Sequence, residues 1–138
     1  MKTVVLDASI AAKWIFLETG SEQAEKVLTA QDHFTVPDLF YLEMDAIIGK
    51  KYRKKELSGE EVHQKREFVR ELSVDVVYLH IISDLAFDIS ISLPVTIYDA
   101  LYLALAVEKK TEMWTADDRL VRGLKTTIFS DYVINPLK

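Results

Sequence analysis

No cysteine occurs anywhere in the sequence. Its absence excludes disulfide scaffolds, thiolate zinc sites and a cysteine nucleophile, and it is compatible with a reducing compartment. Glycine appears only four times and proline three. No Walker loop, no dinucleotide-binding glycine pattern and no G-x-S-x-G elbow is present. No apolar run is long enough to span a bilayer. The opening MKTVVLDAS reaches Asp7 too early for a signal-peptide core. A cytoplasmic protein with no membrane segment is expected. Repeats, low-complexity stretches and linkers are missing as well, so residues 1–138 read as a single domain of common size. The three histidines, His33, His63 and His80, lie far apart without ligand spacing and read as structural or exposed.

What is present describes a globular chain, 49% hydrophobic and 28% charged. The net charge of −5 argues mildly against non-specific nucleic-acid binding. That total hides three basic clusters: Lys50, Lys51, Arg53, Lys54 and Lys55; then Lys65, Arg66 and Arg70; then Arg119, Arg122 and Lys125. If acids gather round metal ions, their charge is neutralised locally and these basic rims matter more.

Strand and helix patterns alternate. Thr3–Asp7 is short, apolar and β-branched, as buried strands are. Helices are predicted over Ala8–Leu17 and from Ser21 to about Ala30, with a short strand at Phe34–Val36. Pro37 fits the first turn of a helix reaching about Lys55. Ser58-Gly59-Glu60-Glu61 is a capping box that starts a helix reaching about Leu72. A third strand is predicted at Val74–Leu79, and a helix near Ser83–Ser92 is stopped by Leu93-Pro94. Thr96 opens a helix over 97–109, whose segment ALYLALAV behind Asp99 is apolar all round and therefore buried. Strands at Glu112–Thr115 and Thr127–Ser130 flank a helical turn at Asp118–Arg122. Such alternation implies a parallel sheet covered on both faces, with ligands bound beyond the carboxyl ends of its strands.

Four acids stand out against this pattern. Asp7 ends the first strand, and Asp117 follows the fourth. Glu43 has Leu39, Phe40, Ala46 and Ile47 at helical spacing, all apolar. Asp99 is the only charge in YDALYLALAV. Each has an ordinary explanation. Asp7 and Asp117 are good N-caps, Asp99 completes a capping-box-like pattern with Thr96, and Glu43 can snorkel or pair with Lys50 or Lys51. Asp45, flanked by Tyr41, Ile48 and Gly49, is a weaker candidate. Carboxylates away from water are costly unless a cation or donors compensate them. Separate caps need not converge, whereas a shared ion requires it. Oxygen ligands alone select a hard cation, Mg²⁺ or Mn²⁺, and a pair of such ions supports phosphodiester hydrolysis.

VVLDAS at 4–9, Pro37-x-Leu39-x-x-x-Glu43, Asp99-Ala100-Leu101 with its alanine-rich helix, and Thr115-Ala116-Asp117 occur in this order over nearly the whole chain. Together they resemble PIN-domain ribonucleases, specifically the small toxin type of VapBC toxin–antitoxin pairs. The resemblance implies a three-layer α/β/α fold with a five-stranded parallel sheet. It also implies a Mg²⁺- or Mn²⁺-dependent endoribonuclease acting on RNA, usually as a homodimer, and an antitoxin that blocks the acidic pocket. The family's ligands map onto Asp7, Glu43, Asp99 and Asp117, with Ser9 and Thr115 as hydrogen-bonding neighbours. The doublet Asp117-Asp118 offers either residue as fourth acid, and the Thr-x-Asp pattern favours Asp117.

The basic stretches 50–55 and 119–125 then become rims for an RNA backbone. Lys13 and Arg119 lie near acids in sequence, though a solvated helix face or a surface ion pair explains both more simply. Phe40, Tyr41, Tyr98 and Tyr102 fit core or dimer interface better than base stacking. A receiver-like signalling domain is a rival α/β metal-binding class, but it needs an acidic pair after the first strand and an Asp ending the third. Only Asp7 and the segment Tyr78-Leu79-His80 stand there. A degenerate nuclease kept as an interaction module is a further alternative, disfavoured because all four mapped acids are present.

Overall fold

Every strand pairing in the computed structural model is parallel, so each connection must cross over a face of the sheet. The structure describes residues 2–31 and 33–138. In chain order the elements are β1 (Thr3–Leu6), α1 (Ala8–Ile15), α2 (Ser21–Thr29), β2 (His33–Pro37), α3 (Leu39–Arg53), α4 (Gly59–Glu71), β3 (Val74–Val77), α5 (Leu79–Ser92), α6 (Ile97–Lys109), β4 (Met113–Trp114), α7 (Asp118–Leu124) and β5 (Val133–Ile134). The five strands form one sheet in the order β3-β2-β1-β4-β5. Among the described residues, no helix is long and apolar enough to cross a membrane.

The alternation of side chains along β1 builds the layers. Val4 and Leu6 point into a core shared with Ile10, Leu28, Phe40 and Met44, from α1, α2 and α3. Val5 points the other way, into a core built on α5, α6 and α7. Both sheet faces are thus covered, giving the three-layer α/β/α arrangement. Helix α6 is buried from Ala100 to Ala106, as its uniformly apolar sequence requires. The capping box at Ser58 forms in full: the Ser58 hydroxyl accepts the Glu61 amide, and the Glu61 carboxylate accepts the Ser58 amide.

Strand order reverses at β1. The chain leaves it toward β2 and β3, then returns to place β4 on its other side. Leu6 pairs with Trp114, and the Asp7 amide donates to the Trp114 carbonyl at 3.1 Å. The segments after β1 and β4 therefore emerge side by side at the switch point, where open parallel sheets bind ligands.

The termini of several elements differ from the sequence expectation. The fifth strand is Val133–Ile134, not Thr127–Ser130. The Thr127 hydroxyl donates to the Leu124 carbonyl and accepts the Phe129 amide, so local side-chain bonds turn the backbone of this β-branched stretch. The third strand stops at Val77, and α5 starts at Leu79 rather than near Ser83. There the Leu79 amide donates to Asp38 Oδ1 at 3.0 Å, a cap supplied from 41 residues away. Pro37 is the last residue of β2, paired with Val77, and not the first turn of α3.

Candidate active site

Asp7 occupies the N-cap position of α1, yet its side chain makes no capping bond. Its Oδ2 instead accepts from Ser9 Oγ at 2.5 Å and from Thr115 Oγ1 at 2.9 Å. Those hydroxyls are themselves acceptors, Ser9 from the Ala116 amide at 3.0 Å and Thr115 from the Asp117 amide at 3.1 Å. A hydroxyl whose lone pair takes an amide has its own proton free to donate, and here both protons converge on one carboxylate oxygen. Burial pushes the Asp7 carboxyl above its ordinary pKa, against the pull of the Ser9 and Thr115 bonds. Only 7% of Asp7 is exposed.

Glu43 lies at the edge of the buried stripe of α3, which is Phe40, Met44 and Ile48. Ala46, expected to share an inner face with it, is exposed. Half-buried, Glu43 reaches α6, where Oε1 accepts from the Tyr102 hydroxyl at 2.5 Å. Burial raises its pKa first, and the charges of Asp7 and Asp99 add to this against the Tyr102 bond. Asp99 sits in the first turn of α6, its amide donating to the Thr96 hydroxyl at 3.1 Å. Burial, then the charges of Asp7 and Asp117, push the Asp99 carboxyl up to about 6.

Asp117 does cap α7, its Oδ1 accepting the Arg119 and Leu120 amides at 3.0 and 3.3 Å. It is exposed, and its charge acts on Asp99. Asp118 is drawn the other way. Asn135 donates to it at 2.8 Å and Lys138 pairs with it at 3.1 Å, which together hold its pKa below the ordinary carboxylate range. Asp45 is committed to Arg66, which grips both its oxygens at 3.0 and 3.1 Å. The three histidines are all exposed, and His80 stacks on Tyr78.

Four elements or their ends thus bring the acids together: Glu43 feels the charges of Asp7 and Asp99, and Asp99 feels those of Asp7 and Asp117. Asp7, Glu43 and Asp117 share a pattern. The side-chain and amide donors that hold each of them fall on one carboxylate oxygen: Oδ2 of Asp7, Oε1 of Glu43 and Oδ1 of Asp117. Among those residues, no three acid or histidine side chains already stand as a closed metal cage. A cation would have to draw them inward. The donor set is nonetheless what a hard divalent ion takes, oxygen only, and a positive charge relieves the burial and repulsion that raise these carboxyls.

At Asp117 opens a cleft of about 560 Å³ whose lining includes Ser9, Ala116 and Asp117 together with Lys13, Lys50, Lys51, Lys54, Glu18 and Glu56. Three of the five residues of the first basic cluster, Lys50, Lys51 and Lys54, therefore border the site. Lys13 donates to the Thr19 carbonyl and pairs with Glu18, so it is half engaged at the rim. The second cluster is structural: Lys65 donates to the Ile15 carbonyl, and Arg66 and Arg70 pair with Asp45. The residue whose site contact sequence alone did not show is Tyr102. Its signal was the one polar tip within the apolar segment ALYLALAV, three positions after Asp99.

A family model described as PIN domain matches residues 4–123. The chain belongs to the PIN domain family. Within that family it is 31% identical over 121 residues to Ribonuclease VapC3 of Pyrobaculum aerophilum, covering 85% of this chain and 91% of the relative. Two solved structures share the fold. VapC20 of Mycobacterium tuberculosis, a sarcin–ricin loop cleaving toxin, superimposes with a TM-score of 0.67 at 11% identity, covering 83% of this chain and 90% of its own. VapBC2 of Rickettsia felis, bound to a DNA fragment from its promoter, gives 0.67 at 11% identity, covering 97% and 98%. PIN membership displaces the receiver-like alternative, and β3 indeed ends without an acid.

Proposed function

We propose that this PIN domain is a metal-dependent endoribonuclease and the toxin half of a toxin–antitoxin pair, working in the cytoplasm. Asp7, Glu43, Asp99 and Asp117 would hold Mg²⁺ or Mn²⁺. The observation that carries this reading is the state of the carboxylates. They come from separate elements and raise one another's pKa, three of them are gripped through a single oxygen, and Asp117 lines a lysine-rich cleft. The VapC relative agrees with it in family and in reaction class.

A divalent ion bound there supplies Lewis-acid activation of water and neutralises charge on the scissile phosphate. The chain's own residues do the rest. Ser9 and Thr115 keep Asp7 oriented by donating to Oδ2. The Arg119 and Leu120 amides fix Asp117 through Oδ1. Lys50 and Lys54, at the cleft rim, hold the RNA backbone as point charges.

The partners follow the same reading. Phe87 and Ile91, one turn apart on α5, leave an exposed apolar patch of the kind that covers itself against a second copy. An antitoxin protein would block the acidic pocket. Asp7→Asn and Asp99→Asn are each expected to abolish most RNA cleavage in Mg²⁺, because each removes a charged ligand of the ion. Undiminished cleavage in either variant would contradict the assignment.

A further inference from the structure

We infer that Tyr102 is a positioning residue for Glu43, holding one carboxylate oxygen so that the other is presented to the bound cation. This rests on the metal-site reading above. Tyr102 is 1% exposed, and among the described residues its hydroxyl has one acceptor, Glu43 Oε1 at 2.5 Å. A buried phenol needs a partner, and a long, mobile glutamate needs an anchor.

The geometry joins two helices. Asp99 and Tyr102 are three residues apart on α6, so they lie one above the other on the same helix face. One face of α6 thus delivers an acid of its own and grips an acid from α3. Glu43 itself comes from a half-buried position at the edge of the α3 stripe, with no other donor to hold it among the described residues. Asp7 is held by Ser9 and Thr115, and Asp117 by two amides. Tyr102 completes the set: each anchored carboxylate is fixed through a single oxygen by a neutral donor. Donors of this kind orient metal-binding groups, and their loss typically costs ~10–100-fold in metal affinity or activity.

The test uses the intact protein and Mn²⁺ alone. Tyr102→Phe keeps the ring and removes one oxygen. By calorimetric titration it is expected to weaken Mn²⁺ binding by ~10-fold or more. The Mn²⁺ concentration for half-maximal RNA cleavage should rise by the same factor, with the rate at saturating Mn²⁺ largely recovered. A purely structural tyrosine would instead lower the melting temperature and leave Mn²⁺ affinity alone. In a Glu43→Gln background, Tyr102→Phe should cause no further loss of affinity, because no charge remains to be positioned. Wild-type Mn²⁺ affinity in Tyr102→Phe, or additive losses in the double variant, overturns the inference. So does a single variant that fails to fold while Glu43→Gln/Tyr102→Phe folds. If the unaltered protein binds no Mn²⁺, the metal-site reading fails and this inference with it. If the unaltered protein binds Mn²⁺ and Tyr102→Phe binds it equally, only the positioning role is lost.

Discussion

The Thr115 hydroxyl donates to Asp7 Oδ2 at 2.9 Å and accepts the Asp117 amide at 3.1 Å. One fully buried side chain just after β4 therefore fixes an acid at the end of β1 and the turn that carries another. Thr115→Val keeps the shape and removes both bonds. It should cost about 1–3 kcal/mol of stability, the usual price of buried groups left without partners. RNA cleavage should fall with it, and Thr115→Ser should restore both. Urea unfolding alongside a cleavage assay separates these expectations from a packing effect, which serine would not repair.

Asp99 predicts a pH dependence. Its folded-state pKa, pushed up to about 6 by burial and by Asp7 and Asp117, exceeds the ordinary value of 3.8. The folded state then binds more protons than the unfolded state between those values. Its contribution to stability is greatest below pH 3.8 and is lost as pH rises toward 6. Asp99→Asn should therefore raise the melting temperature of the metal-free protein at pH 7.5 relative to pH 4. Addition of Mn²⁺ should narrow or reverse that gain, because only the aspartate binds the ion. Melting curves of both proteins at both pH values, with and without Mn²⁺, decide it.

The Asp117-Asp118 doublet separates by partner. Asp118 is engaged by Asn135 and Lys138, whereas Asp117 acts on Asp99. Asp117→Asn should abolish most cleavage while barely changing stability, since asparagine caps helices about as well as aspartate. Asp118→Asn should leave cleavage near the unaltered level. The reverse ranking would move the fourth ligand to Asp118.

Lys50 and Lys54 line the cleft. If they hold phosphates, Lys50→Gln/Lys54→Gln should raise KM with little change in kcat. The double change should also reduce the salt slope of RNA binding by about 1.4, at roughly 0.7 per phosphate contact on a single strand. An unchanged slope would place the RNA path elsewhere, with the rim formed by residues 119–125 the next to test.

Much of this was legible in the sequence because the information was local. The apolar run of β1, the Ser58 capping box and the apolar stretch from Ala100 to Ala106 of α6 each specify their own structure. The order of elements then leaves few sheet topologies, and the switch point brings Asp7 and Asp117 together. What was not legible depended on distant partners. Asp38 caps α5 across 41 residues, so the start of that helix carries no signal of its own. Thr127 spends its hydroxyl on a turn, which a β-branched pattern does not reveal. The apolar neighbours of Glu43 at helical spacing point its side chain toward the core. Its true environment is set by Tyr102, 59 residues away. Composition likewise could not say that Lys50 borders the site while Arg66 is consumed by Asp45.

The central claim is that Asp7, Glu43, Asp99 and Asp117 close around one cation-binding point. Crystals grown with Mn²⁺ and measured at its absorption edge test it most directly. The account predicts an anomalous peak ligated by the oxygens of Asp7 and at least two of the other three acids, lost in Asp99→Asn. Diffraction showing these carboxylates apart, with Mn²⁺ on other residues or bound nowhere, would contradict it.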